Sequence, residues 1–183
     1  MAYRNGTYIA FHADGTNQPG KSDIDYYNLM KAWSAKTDDD FSMINSHEKT
    51  SSVRDTSNRE TLRKRLSERL RNSKNMVLII GATTKNDTDW VPFEIAQAVD
   101  TCEIPIIAAY TDYSPVLEPA EFWPLWPKAL ADRINNKSAS VIHIPFKKAP
   151  LLDAIGQFSH IKLPKGGGLG FYSLETYQKW GLI

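Results

Sequence analysis

Five short apolar runs divide the chain and predict five β-strands. They cover residues 8–12, 41–44, 76–81, 104–110 and 141–146. The third, fourth and fifth runs lack a regular alternation with polar residues, which is typical of strands that are covered on both faces. The pattern therefore favours a parallel sheet with helices on either side.

The segments between these runs carry helical signals. Leu62, Leu66 and Leu70 recur at every fourth position and predict an amphipathic helix over residues 58–72. Further helices are predicted at residues 23–33, 90–102, 121–135 and 150–159. Because strands and helices alternate, we expect right-handed β-α-β units and a doubly wound α/β fold. The expected architecture is flavodoxin-like, a five-stranded parallel sheet of order 2-1-3-4-5 with helices on both faces.

The end of the chain differs in composition from the rest. Residues 164–170 contain four glycines. No predicted strand leads into them, and the Gly-Lys-Ser/Thr ending of a phosphate-binding loop is missing. We predict one α/β domain over residues 1–160, followed over 161–183 by a glycine-rich hinge and a docking segment. The candidate docking residues are Phe171, Tyr172, Tyr177 and Trp180.

Composition and charge narrow the class of protein. The chain has 183 residues, the usual size of one domain, and 22 Lys and Arg against 21 Asp and Glu. A formal net charge of +1 gives no global attraction to nucleic acid. Cys102 is the single cysteine, which rules out an intramolecular disulfide and suits a reducing cytosol.

Targeting and metal signals are missing as well. The first residues have no signal-peptide pattern, and no apolar run approaches the roughly 18 to 20 residues of a membrane span. No Cys/His grouping has the spacing of a zinc site. We therefore expect a cytoplasmic protein that binds no nucleic acid, no membrane and no metal.

The start of the helix over residues 90–102 carries the candidate chemistry. Asp89 is its candidate N-cap, and Pro92 is tolerated in the first turn. At about 100° per residue, Glu94 lies beside Trp90 at the margin of the apolar stripe, between core and solvent. Open α/β sheets bind ligands beyond the carboxyl ends of their strands, where the strand order reverses. In the predicted order that point lies between strands one and three, close to Glu94.

Two strings in the sequence resemble a known family. Asp89-Trp90-Val91-Pro92-Phe93-Glu94-Ile95 resembles the TIR-domain pattern Asp-Trp-Val-x-x-Glu-Ile. Tyr8-Ile9-Ala10-Phe11-His12 is similar to the first strand of TIR-like proteins from bacterial Thoeris antiphage systems, where an aromatic residue and His end the strand. The resemblance covers about residues 5–160 and includes the order of elements. It implies a TIR-like fold.

The resemblance also implies an activity. In NAD-consuming TIR domains the Glu of this pattern is the catalytic carboxylate, so Glu94 is the implied catalytic residue, NAD the substrate, and no separate cofactor is needed. It further implies self-association through TIR–TIR contacts and a downstream effector protein. The candidate substrate contacts are Phe11, His12, Trp90, and Asn45 and Ser46 at the start of the family's mobile loop.

One part of the chain departs from the family. Several TIR enzymes carry arginines just after the first strand, whereas this chain has Ala13, Asp14 and Gly15 there. Substrate contacts at that position therefore differ from those enzymes.

The implied reaction breaks the bond between nicotinamide and ribose. The leaving pyridine is already cationic and departs neutral, so no proton donor is needed and one carboxylate suffices. An ordinary glycosidase needs two. Glu94 would orient the ribose hydroxyls and stabilise the oxocarbenium-like centre. Capture by water gives ADP-ribose, and internal capture gives a cyclic ADP-ribose-type messenger.

Other functions remain open at this point. In a non-catalytic TIR-like interaction module, Glu94 is a solvated first-turn acid, Trp90 a core anchor and His12 an ordinary strand-end histidine. A nucleoside deoxyribosyltransferase-like enzyme would use a Glu in a similar cleft. A phospho-receiver domain needs an Asp at the end of strand three, where this chain has Gly81. The arginines of residues 59–71 form either a solvated face or a partner surface.

Overall fold

The sheet is parallel throughout the part of the chain that the computed structural model describes, residues 4–13, 23–35, 43–44 and 56–183. Its strands are β1 (Gly6–Ala10), β2 (Met43–Ile44), β3 (Ser73–Ile80), β4 (Ile106–Tyr110), β5 (Val141–Pro145) and β6 (Gly170–Phe171). They lie in the order β2-β1-β3-β4-β5-β6, with every neighbouring pair parallel. The predicted order 2-1-3-4-5 is confirmed, and β6 extends the sheet beyond β5.

Helices surround this sheet. They are α1 (Ile24–Ser34), α2 (Thr56–Arg71), α3 (Trp90–Ala96), α4 (Lys128–Asn135), α5 (Lys148–Gln157) and α6 (Leu174–Lys179). Short 3-10 turns occupy Thr84–Asn86, Pro119–Leu125 and Gly167–Leu169, and α3 continues into a π-helical turn, Gln97–Thr101. None of the described helices combines the length and the apolar character that crossing a membrane requires.

The helix predicted over residues 121–135 was wrong in its first half. That half is a 3-10 turn, and α4 begins only at Lys128. Pro127 has ψ near 141°, and Trp126 before it is extended with φ −73° and ψ 135°. Proline has no backbone N–H and disfavours the helical conformation in the residue before it, so the two prolines at 124 and 127 separate the turn from the helix.

Side chains alternate across the sheet and so divide the core into two layers. On one face Tyr8 and Ala10 of β1 pack with buried residues of α2, α3 and α4. On the other face Ile9 and Phe11 pack with buried residues of α1, α5 and α6. Each side chain of β1 therefore packs on one face of the sheet only. This limits which residues each candidate site residue can contact.

Residues 161–183, predicted as a hinge and docking segment, are hydrogen-bonded to the sheet through β6. Tyr177 is fully buried, and its hydroxyl bonds both the N–H and the C=O of Val116 at 3.2 Å. Tyr172 is also buried, whereas half of Phe171 is exposed. The segment thus contributes to the α1 side of the core, while the division of the chain into two units stays a prediction.

Candidate functional site

Glu94 lies four residues after the start of α3, and its side chain is completely buried. Val91, Glu94, Ile95 and Ala98 follow the i, i+3, i+4, i+7 spacing of a single helix face, and that face packs on the sheet. The Tyr8 hydroxyl donates to Glu94 Oε1 at 2.5 Å. The position predicted for Glu94, between core and solvent, was therefore wrong, because α3 turns this carboxylate inward against β1.

Tyr8 is the hydrogen-bond partner of Glu94, and the sequence analysis did not predict this contact. It is fully buried in the middle of β1, where it pairs with Met76 of β3. Burial, and after it the charge of Glu94, hold the pKa of the Tyr8 phenol well above its usual value. The phenol therefore keeps its proton and donates a charge-assisted hydrogen bond. A buried tyrosine needs a hydrogen-bond partner for its hydroxyl. The position of Tyr8 in an apolar strand could therefore have indicated that a polar side chain lies opposite it.

Two aspartates organise the start of α3. Asp89 occupies the N-cap position but makes no capping hydrogen bond with its side chain. Asp87 caps the helix instead, because its Oδ1 accepts from the N–H groups of Asp89 and Trp90, both at 2.9 Å. The Asp89 carboxylate instead pairs with Arg59 and Arg63 of α2. The first turn of α3 is thus tied both to its own loop and to α2.

Trp90 lies half-buried between α2 and α3. The guanidinium groups of Arg59 and Arg63 lie 5.7 and 5.9 Å from its ring centroid, and Phe93 packs edge-on at 6.4 Å. These two of the arginines over residues 59–71 therefore contact the chain's own α3. The predicted stacking of Trp90 on substrate is not tested by this arrangement and stays a prediction.

A second buried carboxyl group lies where β1 and β3 end, at the predicted reversal of strand order. Asp23 is 6% exposed, and its Oδ2 accepts from the Thr84 hydroxyl at 2.8 Å. The same hydroxyl accepts from the Gly81 N–H at 2.8 Å, and the Asp23 N–H donates to the His12 carbonyl at 3.3 Å. Burial raises the pKa of the Asp23 carboxyl, while the Thr84 hydrogen bond and nearby His12 oppose that shift.

Asp23 also explains the glycine at the end of β3. A Cβ atom at position 81 would collide with Asp23 Oδ1. The carboxylate beside the end of this strand therefore comes from the start of α1. No sequence spacing connects residues 23, 81 and 84, so Asp23 and Thr84 were missed.

The remaining predicted contacts are separated by the sheet. Phe11 is 1% exposed and stacks on Tyr27 at 4.8 Å, on the opposite face from Glu94. His12 lies at the carboxyl end of the sheet, with Nδ1 3.3 Å from Thr83 Oγ1. The structure thus brings His12 close to Asp23 but does not bring Phe11 to Glu94. The predicted contacts Asn45 and Ser46, and the departures Asp14 and Gly15, lie outside the described residues.

Two cavities that described residues line lie away from Glu94. A cavity of about 550 Å³ opens at the amino ends of the strands, next to Arg4, Cys102 and His160. A smaller one of about 290 Å³ lies at Tyr113 and Phe122. Glu94 lines neither. In the described part of the chain, no three His, Cys, Asp or Glu side chains are grouped so that they could hold a metal ion.

A comparison with known protein families gives a match over the first part of the domain. The family model described as "Thoeris protein ThsB, TIR-like domain" matches residues 8–115, more than half of the chain. The matched region runs from β1 to the loop after β4 and includes both buried carboxyl groups. It confirms the resemblance seen in residues 8–12 and 89–95.

Proposed function

Because the chain belongs to the TIR-like domain family of the Thoeris protein ThsB, we propose that it cleaves the nicotinamide–ribose bond of NAD, with Glu94 as the catalytic carboxylate. The family supports a TIR-like signalling role in antiphage defence, and NAD cleavage goes one step beyond it. The observation that carries this step is the Glu94 carboxylate, held inside the matched domain by the Tyr8 hydroxyl.

Burial of an ionised carboxylate inside a protein is energetically unfavourable. Moving an ionised carboxylate out of water costs several kcal/mol unless hydrogen bonds compensate for the lost hydration. An apolar side chain at position 94 would complete the face formed by Val91, Ile95 and Ala98 without this cost. A Glu at this buried position therefore favours a task that needs a negative charge.

NAD cleavage is a task of that kind. As the C–N bond breaks, positive charge develops on the ribose ring while nicotinamide leaves as a neutral molecule. A carboxylate shielded from water stabilises this charge more strongly than one in bulk solvent, since the effective dielectric constant is lower. The carboxylate also orients the ribose hydroxyls. Water then captures the cation to give ADP-ribose, or an atom of the same nucleotide captures it to give a cyclic isomer.

Access to Glu94 is part of the proposal. Glu94 is fully buried in this structure, and α3 begins at the carboxyl end of the sheet, about 6 Å along the helix axis from it. We place substrate entry at that end, between β1 and β3, where His12 lies. The first turn of α3 has to move when NAD binds. Self-association and a downstream effector, both expected from the resemblance, also stay proposals.

The direct test is to incubate the purified protein with NAD and to quantify nicotinamide and the isomers of ADP-ribose by chromatography. Glu94→Gln keeps the shape of the side chain and an oxygen that accepts from Tyr8, but removes the charge. We expect turnover to fall by about 100-fold or more, with an unchanged circular dichroism spectrum. Glu68→Gln, an exposed change on α2, is the matched control and should retain full activity.

Equal turnover by wild type and Glu94→Gln would contradict the assignment. If wild type releases no nicotinamide, either alone or in extracts of phage-infected cells, NAD cleavage is wrong.

A second candidate is a non-catalytic TIR-like interaction module. The complete burial of Glu94 favours it, because a structural hydrogen bond to Tyr8 accounts for the carboxylate without a substrate. The two candidates differ in phage-protection assays. A module retains protection when Glu94 is replaced by Gln, whereas an enzyme loses it together with nicotinamide release.

A further inference from the structure

The Tyr8 side chain is fixed by the sheet and by the core around it. Its backbone lies in β1, which pairs with β2 on one side and β3 on the other. Its ring is completely buried among residues of α2 and α3, including Leu66 and Ile95. Glu94 has three rotatable side-chain torsions, and its Oε1 accepts from the Tyr8 hydroxyl at 2.5 Å.

We propose that Tyr8 is the positioning residue of the Glu94 carboxylate, which its hydroxyl holds in one orientation for reaction with NAD. This inference rests on the proposed function. Tyr8 lies in the middle of β1 and its hydroxyl contacts Glu94, so it acts through Glu94, which the substrate reaches when the first turn of α3 moves.

The chemistry of the donor suits this task. Arg or Lys would hold the carboxylate equally well, but its positive charge would offset the negative charge that a cation-like transition state needs. A phenol holds the carboxylate and adds no charge. Burial and then the charge of Glu94 raise the pKa of the phenol, against a smaller lowering by Arg69 of α2, so the phenol keeps its proton. Tyr8 therefore fixes the geometry without adding a charge of its own.

Tyr8→Phe tests the inference, because the ring stays in the core and only the hydroxyl is lost. We expect kcat for NAD cleavage to fall about 10-fold or more, as hydrogen bonds to charged groups contribute about 1.5–3 kcal/mol. KM should change by less than about twofold, since Tyr8 makes no substrate contact. The acid limb of the pH–rate profile should move to higher pH, because loss of a donor disfavours the ionised carboxylate.

Tyr172→Phe is the matched control. It removes a hydroxyl that also donates to a carboxylate, Asp153 Oδ1 at 2.8 Å, in the C-terminal segment. Its kcat and pH profile should equal those of wild type. Should Tyr8→Phe fail to fold, site-specific 3-fluorotyrosine at position 8 changes the donor strength alone, and kcat should again shift.

The outcomes separate the two proposals. If wild type cleaves NAD and Glu94→Gln does not, a Tyr8→Phe variant with the kcat and pH profile of wild type overturns the positioning role alone. If wild type cleaves no NAD, the proposed function is overturned, and the inference with it. In that case non-additive unfolding midpoints of Tyr8→Phe, Glu94→Gln and the double variant would identify a purely structural hydrogen bond.

Discussion

Single residues show how the chain keeps two carboxyl groups in its interior. Tyr8 donates to Glu94, and Thr84 donates to Asp23. In both pairs the donor is a neutral hydroxyl from a different element, so neither acid is neutralised by its partner. The two pairs lie at different places, since Glu94 faces α2 and β1 whereas Asp23 lies where β1 and β3 end.

The pair of Asp23 and Gly81 gives a prediction on stability. We expect Gly81→Ala to lower the free energy of unfolding by about 1–3 kcal/mol, the usual cost of overpacking. The new methyl group would collide with Asp23 Oδ1, and Asp23 cannot move away without weakening its bond to Thr84. Urea unfolding monitored by circular dichroism measures the change.

Gly156→Ala is the control for this prediction. Gly156 lies in α5, and no atom lies within 4 Å of the position its Cβ would take. Alanine there should stabilise the protein by about 0.5–1 kcal/mol through its helix propensity. In the double variant Asp23→Ala/Gly81→Ala, the cost of Gly81→Ala should be largely removed. Strict additivity of the two changes would show that the collision does not limit residue 81.

Elements meet at one buried histidine, which lies on the same face of the sheet as Tyr8. His143 of β5 is completely buried, and its Nε2–H donates to the Gly168 carbonyl at 2.9 Å. The carbonyl can only accept, so Nδ1 is the unprotonated nitrogen and accepts from the Tyr110 hydroxyl at 2.7 Å. That hydroxyl accepts in turn from Trp126 Nε1 at 2.7 Å. The network joins β4, β5, the segment before α4 and the glycine-rich turn.

This network predicts a loss of stability in acid. Burial lowers the pKa of His143 from 6.5 to about 4. Between these values the unfolded chain binds a proton that the folded protein does not, so the free energy of unfolding falls as the pH drops from about 6.5 to about 4. The loss attributable to His143 is on the order of 3 kcal/mol. Urea unfolding at a series of pH values between 4 and 8 checks it.

The comparison with His143→Gln isolates this contribution. The variant should be less stable at pH 8 but should lose less stability on acidification. Asp23, whose pKa is raised by burial, changes stability in the opposite direction, since its contribution is lost as the pH rises. Asp23 is common to both proteins and cancels in the difference. Parallel pH curves would show that His143 is not the responsible group.

The secondary structure was predictable where a repeating pattern or a long apolar run supplied the signal. Helix α2 follows its buried leucines 62, 66 and 70, and β3 to β5 follow continuous apolar runs. Strand β6 was missed because a two-residue strand has no pattern of its own and forms only by pairing with β5. The break before α4 was visible in Pro124 and Pro127, since proline disfavours the helical conformation in the residue before it.

The candidate site was predictable in part. The family pattern identified Glu94, and the angle of about 100° per residue led to a predicted position at the margin of the apolar stripe, although its spacing to Val91 and Ile95 is that of the buried face. Tyr8 lies 86 positions away from Glu94 in sequence, and Asp23 lies 61 away from Thr84. The first pair forms because α3 packs on β1, and the second forms because β1 and β3 end side by side. A local sequence pattern contains no information on either contact.

In the whole molecule, the sheet and its helices continue beyond the last residue that the family model matches. Residues 8–115 contain β1 to β4, whereas β5, β6 and α6 follow. Yet Val116, the next residue, is fully buried and bonded to Tyr177 of α6. The glycine-rich segment therefore leads into contacts that connect the end of the chain with the middle of the domain.

These contacts predict that the C-terminal segment and the sheet unfold together. Tyr177→Ala removes a fully buried ring from the core shared by α1, α5 and α6, and should lower the free energy of unfolding by about 3–5 kcal/mol. Phe171→Ala, at a side chain that is 51% exposed, is the control and should cost less than about 1 kcal/mol. Because the Tyr177 ring packs against both parts, circular dichroism and the 19F NMR signal of 5-fluorotryptophan placed at position 180 should follow one transition in urea. A Tyr177→Ala variant with the midpoint of wild type, or a change in the 19F signal at position 180 before the sheet unfolds, would show that residues 161–183 behave as a separate, hinged segment.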